Sequence, residues 1–298
     1  MVRHFVFLCA CALLLILFFG PLKAVVILAF HDARYNFLLV IPCISVGLLL
    51  LNSKTIFVKT GYCPRVGLPL ALAGLALSVI TAFSSNFSPD YALSIAILAV
   101  LLVWVGIFVW CYGALSAQNA IFPLAFLALM IPIPAAVLDH LVVALQRASA
   151  DMSLPLFKLA GMPVVREGAF RFLLPEVTVE VAEECSGIRS TLSLFISSIL
   201  VGYLFLRSGW SRVSFVLLAL LISIFKNAVR IVTISWLGVY VDGGFFVGRL
   251  HRNGGLVFSA VALILLVPLL FLLARTERRH QKAPADRKAA PVTGPSAS

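Results

Sequence analysis

YALSIAILAVLLVWVGIFVWCYG, residues 91–113, contains no charged side chain. A helix of that length, at about 1.5 Å per residue, reaches about 34 Å, enough to cross a hydrocarbon core of roughly 30 Å. Comparable apolar runs recur along almost the whole 298-residue chain, which is 62% hydrophobic and only 12% charged. A soluble domain carries about 25% charged residues. The expected fold class is therefore an all-α polytopic membrane protein. We place about eight spans, near 5–28, 37–53, 66–83, 91–113, 119–141, 186–206, 213–238 and 254–274. A small extracytoplasmic β-element is expected between spans five and six.

Charge orients these spans. The net charge of +11 does not form one face of a soluble domain, so a nucleic-acid role is set aside. With eight spans, Arg3, the loop 54–65 (Lys54, Lys59, Arg65), the loop 207–212 (Arg207, Arg212) and the basic tail all fall on one side. The positive-inside rule makes that side cytoplasmic. Of the twelve acidic residues, only Glu277 and Asp286 fall there. Arg3 followed by the apolar stretch 5–20 is similar to a signal peptide. No small-residue cleavage site follows it, so it is read as an uncleaved first span. Cys9, Cys11, Cys43, Cys63 and Cys111 sit in or beside apolar runs without metal-ligand spacing and are read as small hydrophobes. No cofactor or metal is expected.

The segment 142–185 is the long extramembrane connection. Val142 to Leu159 suits an amphipathic or interfacial helix, broken at Pro155. Val164–Arg166, Phe170–Leu174 and Val177–Val181 are short and β-branched, and predict two or three strands. Residues 1–275 are expected to form the integral membrane domain, and 276–298 a disordered basic cytoplasmic tail.

Three charged groups stand where a membrane protein should avoid them: Glu183-Glu184-Cys185-Ser186-Gly187-Ile188-Arg189-Ser190, Lys226-Asn227-Ala228-Val229-Arg230, and Arg249-Leu250-His251-Arg252. The predicted topology gives all three to one leaflet. Arg230 falls two turns below the outer surface, roughly 12 Å at ~1.5 Å per residue. An intramembrane ionisable residue is a functional hypothesis by default. The bland alternative is that Arg230 snorkels or pairs with Glu183 or Glu184. Asn227 lies on the same face and could orient the guanidinium. Lys226 either points away from Arg230 or gives up its proton.

Cys185 is expected at a helix N-terminus, where backbone N–H groups and the helix dipole favour a thiolate. A thiolate, an imidazole and a guanidinium suit acyl transfer: the thiolate attacks a carbonyl, one cation stabilises the oxyanion and a proton donor serves the leaving amine. Glu183, Glu184 and Arg189 either tune the thiol or hold the β-element to the bundle.

The segments Ala182–Ser190, Asn227–Ile231 and His251–Gly255 resemble the three signature blocks of exosortases and archaeosortases. Phe122–Leu127 with Met130–Pro134 is similar to that family's central span, and Gly161–Gly168 to its outer loop. The third block carries His251, the exosortase pattern. Tyr35-Asn36-Phe37 before Ile41-Pro42 departs from the Ser-His pair before Val-Pro that the family often has. The resemblance implies a cysteine transpeptidase of the bacterial cell (inner) membrane, with its active site facing the extracytoplasmic side. Its catalytic residues would be Cys185, Arg230 and His251, supported by Glu184, Arg189 and Asn227. Its partners would be secreted proteins with a C-terminal sorting signal (a PEP-like motif, a transmembrane helix and a basic tail). The product would pass to an acceptor amine on a lipid or surface polymer.

A transporter or channel is the main rival, since polar groups inside a bundle also mark transport paths. No paired broken helices or inverted repeat supports it. Glu183-Glu184 with Arg189 is one residue too long for the Glu-Glu-x-x-x-Arg motif of prenyl-protein endopeptidases. A scaffold role leaves Arg230 unexplained.

Overall fold

The computed structural model describes residues 2–84, 87–175, 177–182, 186–246 and 249–289, with backbone alone for 246, 249–257 and 280–289. The helices are α1 Val2–Leu17, α2 Phe19–His31, α3 Val40–Leu51 (extended at its start by the 3-10 turn Asn36–Leu39), α4 Ser53–Ile56, α5 Pro64–Phe83, α6 Pro89–Tyr112, α7 Ala114–Asn119, α8 Ile121–Phe126, α9 Ala135–Leu159, α10 Ile188–Phe205, α11 Gly209–Tyr240 and α12 Arg249–Ala289. Among the described residues, five are long and apolar enough to cross a membrane: α5, α6, α10, α11 and the Phe258–Arg279 part of α12. Two bent pairs raise the number to seven: α1 with α2 at 73°, and Ile121–Met130 with α9 at 93°. Asn36–Leu51 is a further, shorter apolar helix. The chain is thus an all-α polytopic membrane protein, close to the eight spans read from hydropathy.

Two compact units divide it, Met1–Asp139 and His140–Ser298. In the first, α5 and α6 pack at backbone contact through small residues. A Cβ on Gly67 would lie 2.5 Å from the Trp110 nitrogen, and one on Gly106 would lie 2.6 Å from the Ala71 nitrogen. Close approach through small residues is how membrane helices gain van der Waals contact when lipid offers no hydrophobic drive. The ends of this unit segregate charge. Arg3 Nη1 donates to the carbonyl and Oγ1 of Thr60 at 2.7 and 2.8 Å, and its guanidinium sits 4.7 Å from the Tyr62 ring centroid. Chain start and basic loop therefore share one end. Asp32, Arg34 and Asp139 meet at the other, with Arg34 Nη1 3.8 Å from Asp139 Oδ1.

The helix break falls elsewhere than expected. Pro155 lies inside a continuous α9, and the chain breaks instead at Ile131–Pro134, so the fifth span does not reach residue 141 as one helix. Residues preceding proline are pushed out of the helical region. Ile131, before Pro132, is extended at φ −69°, ψ 119°. The carbonyls freed there find donors: Ser94 Oγ to Pro132 at 2.7 Å and Tyr35 Oη to Ile133 at 2.7 Å. At Pro155 the orphaned acceptor belongs to Asp151, an exposed residue, so losing that bond there is cheap.

In the second unit, β1 Val165–Glu167, β2 Arg171–Leu173 and β3 Thr178–Glu180 form an antiparallel sheet in the order β1-β2-β3. Phe172 points inward from β2 and is fully buried, 5.2 Å centroid to centroid from Phe157 of α9. Ala150, Met162, Leu174 and Val181 complete this core with Ile231 and Val232 of α11. The distal part of α11 is therefore the floor on which the β-element sits. A second core, Leu206, Phe215, Ala219 and Leu266, joins α10, α11 and α12.

Candidate functional site

α10, α11 and α12 run up and down in sequence. Glu277 of α12 accepts the backbone N–H groups of Arg207 (3.0 Å) and Ser208 (2.9 Å), which open α11. That capping ties the α10–α11 turn to the distal part of α12. The opposite end of the bundle then holds the start of α10, the last turns of α11 and the start of α12.

The start of α10 is built around a glycine. Gly187 adopts φ 73°, ψ 12°, and α10 begins at the next residue. That left-handed conformation costs glycine nothing and strains other residues. Ser186, 1% exposed, accepts the Ile188 N–H through its own Oγ at 3.3 Å. Asn227 of α11 presses on the turn: a Cβ on Gly187 would lie 3.0 Å from Asn227 Oδ1. Asn227 is 2% exposed, and its Nδ2 donates to Ser149 Oγ of α9 at 3.0 Å.

A polar seam continues below this contact. Lys226, 3% exposed, donates from Nζ to Ser190 Oγ at 2.7 Å. Ser190 Oγ donates in turn to the Gly187 carbonyl at 2.9 Å. One turn deeper, Thr191 Oγ1 and Ser223 Oγ share a hydrogen bond of 2.8 Å. Lys226 therefore points across to α10, which answers where its side chain goes.

Arg230 is half-buried on α11, one turn beyond Lys226. α11 is 32 residues long and continues ten residues past Arg230, to Tyr240. At the other end, Arg212 Nε donates to the Leu206 carbonyl at 2.9 Å, and its guanidinium lies 5.3 Å from the Tyr203 ring centroid. From Arg212 to Arg230 is about 27 Å along the helix, at ~1.5 Å per residue. That is close to the ~30 Å of a hydrocarbon core. Arg212 and Arg230 thus stand near opposite ends of the apolar part of α11, with Lys226 one turn before Arg230.

Of the other residues singled out by sequence, Cys185, Glu183 and Glu184 lie outside the described residues. His251 lies on the first turn of α12, at the same end as Gly187, with its side chain outside the described residues. Arg189 is exposed on the first turn of α10.

Sequence reading missed α9's contribution. Gln146, 6% exposed, donates from Nε2 to the Val181 carbonyl at 2.9 Å, holding the strand exit that leads toward residue 185. Gln146, Ser149 and Ser153 recur at i, i+3 and i+7 along a helix whose other buried positions are apolar. That polar stripe at helical spacing was the available signal. Among the described residues no group of three or more His, Cys, Asp or Glu is placed to hold a metal ion. The arrangement offers a helix N-terminus opened by a left-handed glycine, with two cations on the facing helix. Such ends favour negative charge.

A family model described as transmembrane exosortase (Exosortase_EpsH) matches residues 29–268, well over half of the chain. No curated protein and no solved structure matches.

Proposed function

Because the chain belongs to the transmembrane exosortase family, we propose that it is a membrane cysteine transpeptidase that cleaves a C-terminal sorting signal from secreted proteins. Cys185 is the nucleophile. Its thiolate attacks the scissile carbonyl, and the tetrahedral oxyanion is stabilised by His251. As the C–N bond breaks, Arg230 gives a proton to the leaving amine, and the N-terminal product stays as a thioester on Cys185. An acceptor amine on a lipid or surface polymer attacks the thioester. Cys185 leaves as thiolate, and the proton lost by the acceptor restores Arg230.

Residues 1–275 form the catalytic membrane domain and 276–298 a cytoplasmic tail. The enzyme resides in the bacterial inner membrane with its site on the extracytoplasmic face. A substrate anchored by one C-terminal helix presents its cleavage point at that interface. Glu184 and Arg189 support the thiol from its own segment, and Asn227 from the facing helix.

The observation that carries this reading is the packing of the Gly187 turn on Asn227. It brings Gly187, two residues beyond Cys185 in the chain, against the turn of α11 that precedes Arg230.

The test is processing of a signal-bearing substrate in membranes containing the full chain. Cys185→Ala should abolish it, and Cys185→Ser should be nearly as inactive, because a hydroxyl is a far weaker nucleophile without a strong base. Processing that survives Cys185→Ala would sink the thioester route. Mass spectrometry of the new C-terminus separates hydrolysis (a free acid) from transfer (an added mass).

A further inference from the structure

The reaction above leaves one buried cation without a task. Lys226 is 3% exposed, and among the described residues its one hydrogen-bond acceptor is Ser190 Oγ, at 2.7 Å. An ammonium in the interior is costly unless its N–H groups are used. Arg230 one turn away adds repulsion, since like charges at i and i+4 on a helix oppose each other. Packing alone would be served better by an apolar side chain of similar volume. The feature that distinguishes Lys226 is what its bond reaches. Ser190 Oγ passes the contact on to the Gly187 carbonyl at 2.9 Å, which also accepts the Thr191 N–H at 2.9 Å. The next residue of α11, Asn227, contacts the same glycine from its Cα side. Of two consecutive residues of α11, Asn227 thus faces the Cα of Gly187 directly, and Lys226 reaches its carbonyl through Ser190.

We propose that Lys226 is a positioning residue: through Ser190 it fixes the Gly187 carbonyl and so sets where the chain presents Cys185, two residues upstream. The inference rests on the reading of Cys185 as nucleophile. Lys226 itself touches neither the reacting bond nor the leaving group.

The experiment compares kcat and KM for processing by the membrane-embedded full chain carrying Lys226→Met, Ser190→Ala or both, with Ser190→Thr and Cys185→Ala alongside. Misplacing a nucleophile by about 1 Å costs on the order of 100-fold, so each single variant should lose about 10–100-fold in kcat. KM should hold within about twofold, since substrate binding is not the function removed. The double variant should be no slower than the slower single, because both changes cut one chain of bonds. Ser190→Thr keeps the hydroxyl and should stay near wild type. Losses that multiply in the double variant, or a Lys226→Met enzyme at full kcat, would overturn the inference. Ser190→Ala removes a single oxygen, so it tests the same chain of bonds even if Lys226→Met does not fold. Processing that survives Cys185→Ala overturns the nucleophile and this inference with it. Processing that dies with Cys185→Ala yet is indifferent to Lys226→Met and Ser190→Ala overturns this inference alone.

Discussion

Asn227 Oδ1 stands 3.0 Å from where a Cβ on Gly187 would sit, and Gly187 itself holds a φ of 73°. The two facts are separate demands for glycine at one position: backbone conformation, and space against a buried amide that is itself tied to Ser149. A turn so constrained is a fixed point at the start of α10.

Gly187→Ala should therefore fail on both counts. The left-handed backbone alone costs a non-glycine residue about 1–2 kcal/mol. The contact with Asn227 adds to it, because Asn227 is anchored and cannot yield freely. Thermal unfolding in detergent and substrate processing should both fall. Shortening the neighbour in Gly187→Ala/Asn227→Ser should recover the steric part of the stability and leave the conformational part. A Gly187→Ala protein with unaltered melting and activity would show that the turn is looser than its geometry implies.

The α5–α6 contact predicts a contrast between two glycines. Gly106→Leu would push a Cβ to within 2.6 Å of the Ala71 nitrogen and 2.8 Å of the Gly67 carbonyl oxygen. Backbone atoms on a packed helix cannot move aside alone, so the helices must separate, at a cost of about 1–3 kcal/mol or more. Gly20, with nothing within 4 Å of its Cβ position, should accept alanine and gain about 0.5–1 kcal/mol from the lower entropy of the unfolded chain. Opposite shifts in melting temperature are the expected result. Equal shifts would contradict the packing.

Asp32 supplies a pH signature outside the spans. Arg34 donates Nε to both Asp32 oxygens (3.1 and 2.9 Å) and Nη2 to one (2.7 Å), while its backbone N–H reaches Oδ1 at 2.9 Å. Those side-chain bonds hold the carboxyl below its ordinary value of 3.8, against a smaller opposing effect of burial. A depressed folded-state pKa gives stability that is present above the unfolded value and lost as pH falls through the folded one. The pair is partly exposed, so Asp32→Asn should cost no more than about 1 kcal/mol at pH 7. The difference from wild type should vanish once the pH is below the folded-state pKa. A difference that persists unchanged in acid would mean that Asp32 acts through something other than its charge.

Much of the candidate site was legible in the linear chain for one reason: ionisable residues are scarce in apolar runs and therefore conspicuous. Arg230 stood out as a charge within an apolar run, Cys185 by its charged neighbours and His251 through the family resemblance, while β-branched composition marked the short segments that became β1 to β3. Ser149 and Gln146 did not, because serine and glutamine in an amphipathic helix look like its wet face. The i, i+3, i+7 spacing of Gln146, Ser149 and Ser153 was a weak signal, and burial is what reveals it as a buried stripe. Lys226 was visible as a charge, but its direction was not, since Ser190 is 36 residues away.

The all-α membrane class and the approximate number of spans were legible in sequence, because hydropathy acts locally and the bilayer imposes its period. Tertiary structure decided the rest. It moved the helix break from Pro155 to Pro132 and Pro134, where Ser94 and Tyr35 supply donors for the freed carbonyls. It set Arg230 half-buried on α11, one turn beyond the buried Lys226. It closed Asn227 on Gly187 and linked Lys226 to the same glycine through Ser190. Each of these turns on which atoms meet across helices far apart in the chain, and no local pattern encodes that.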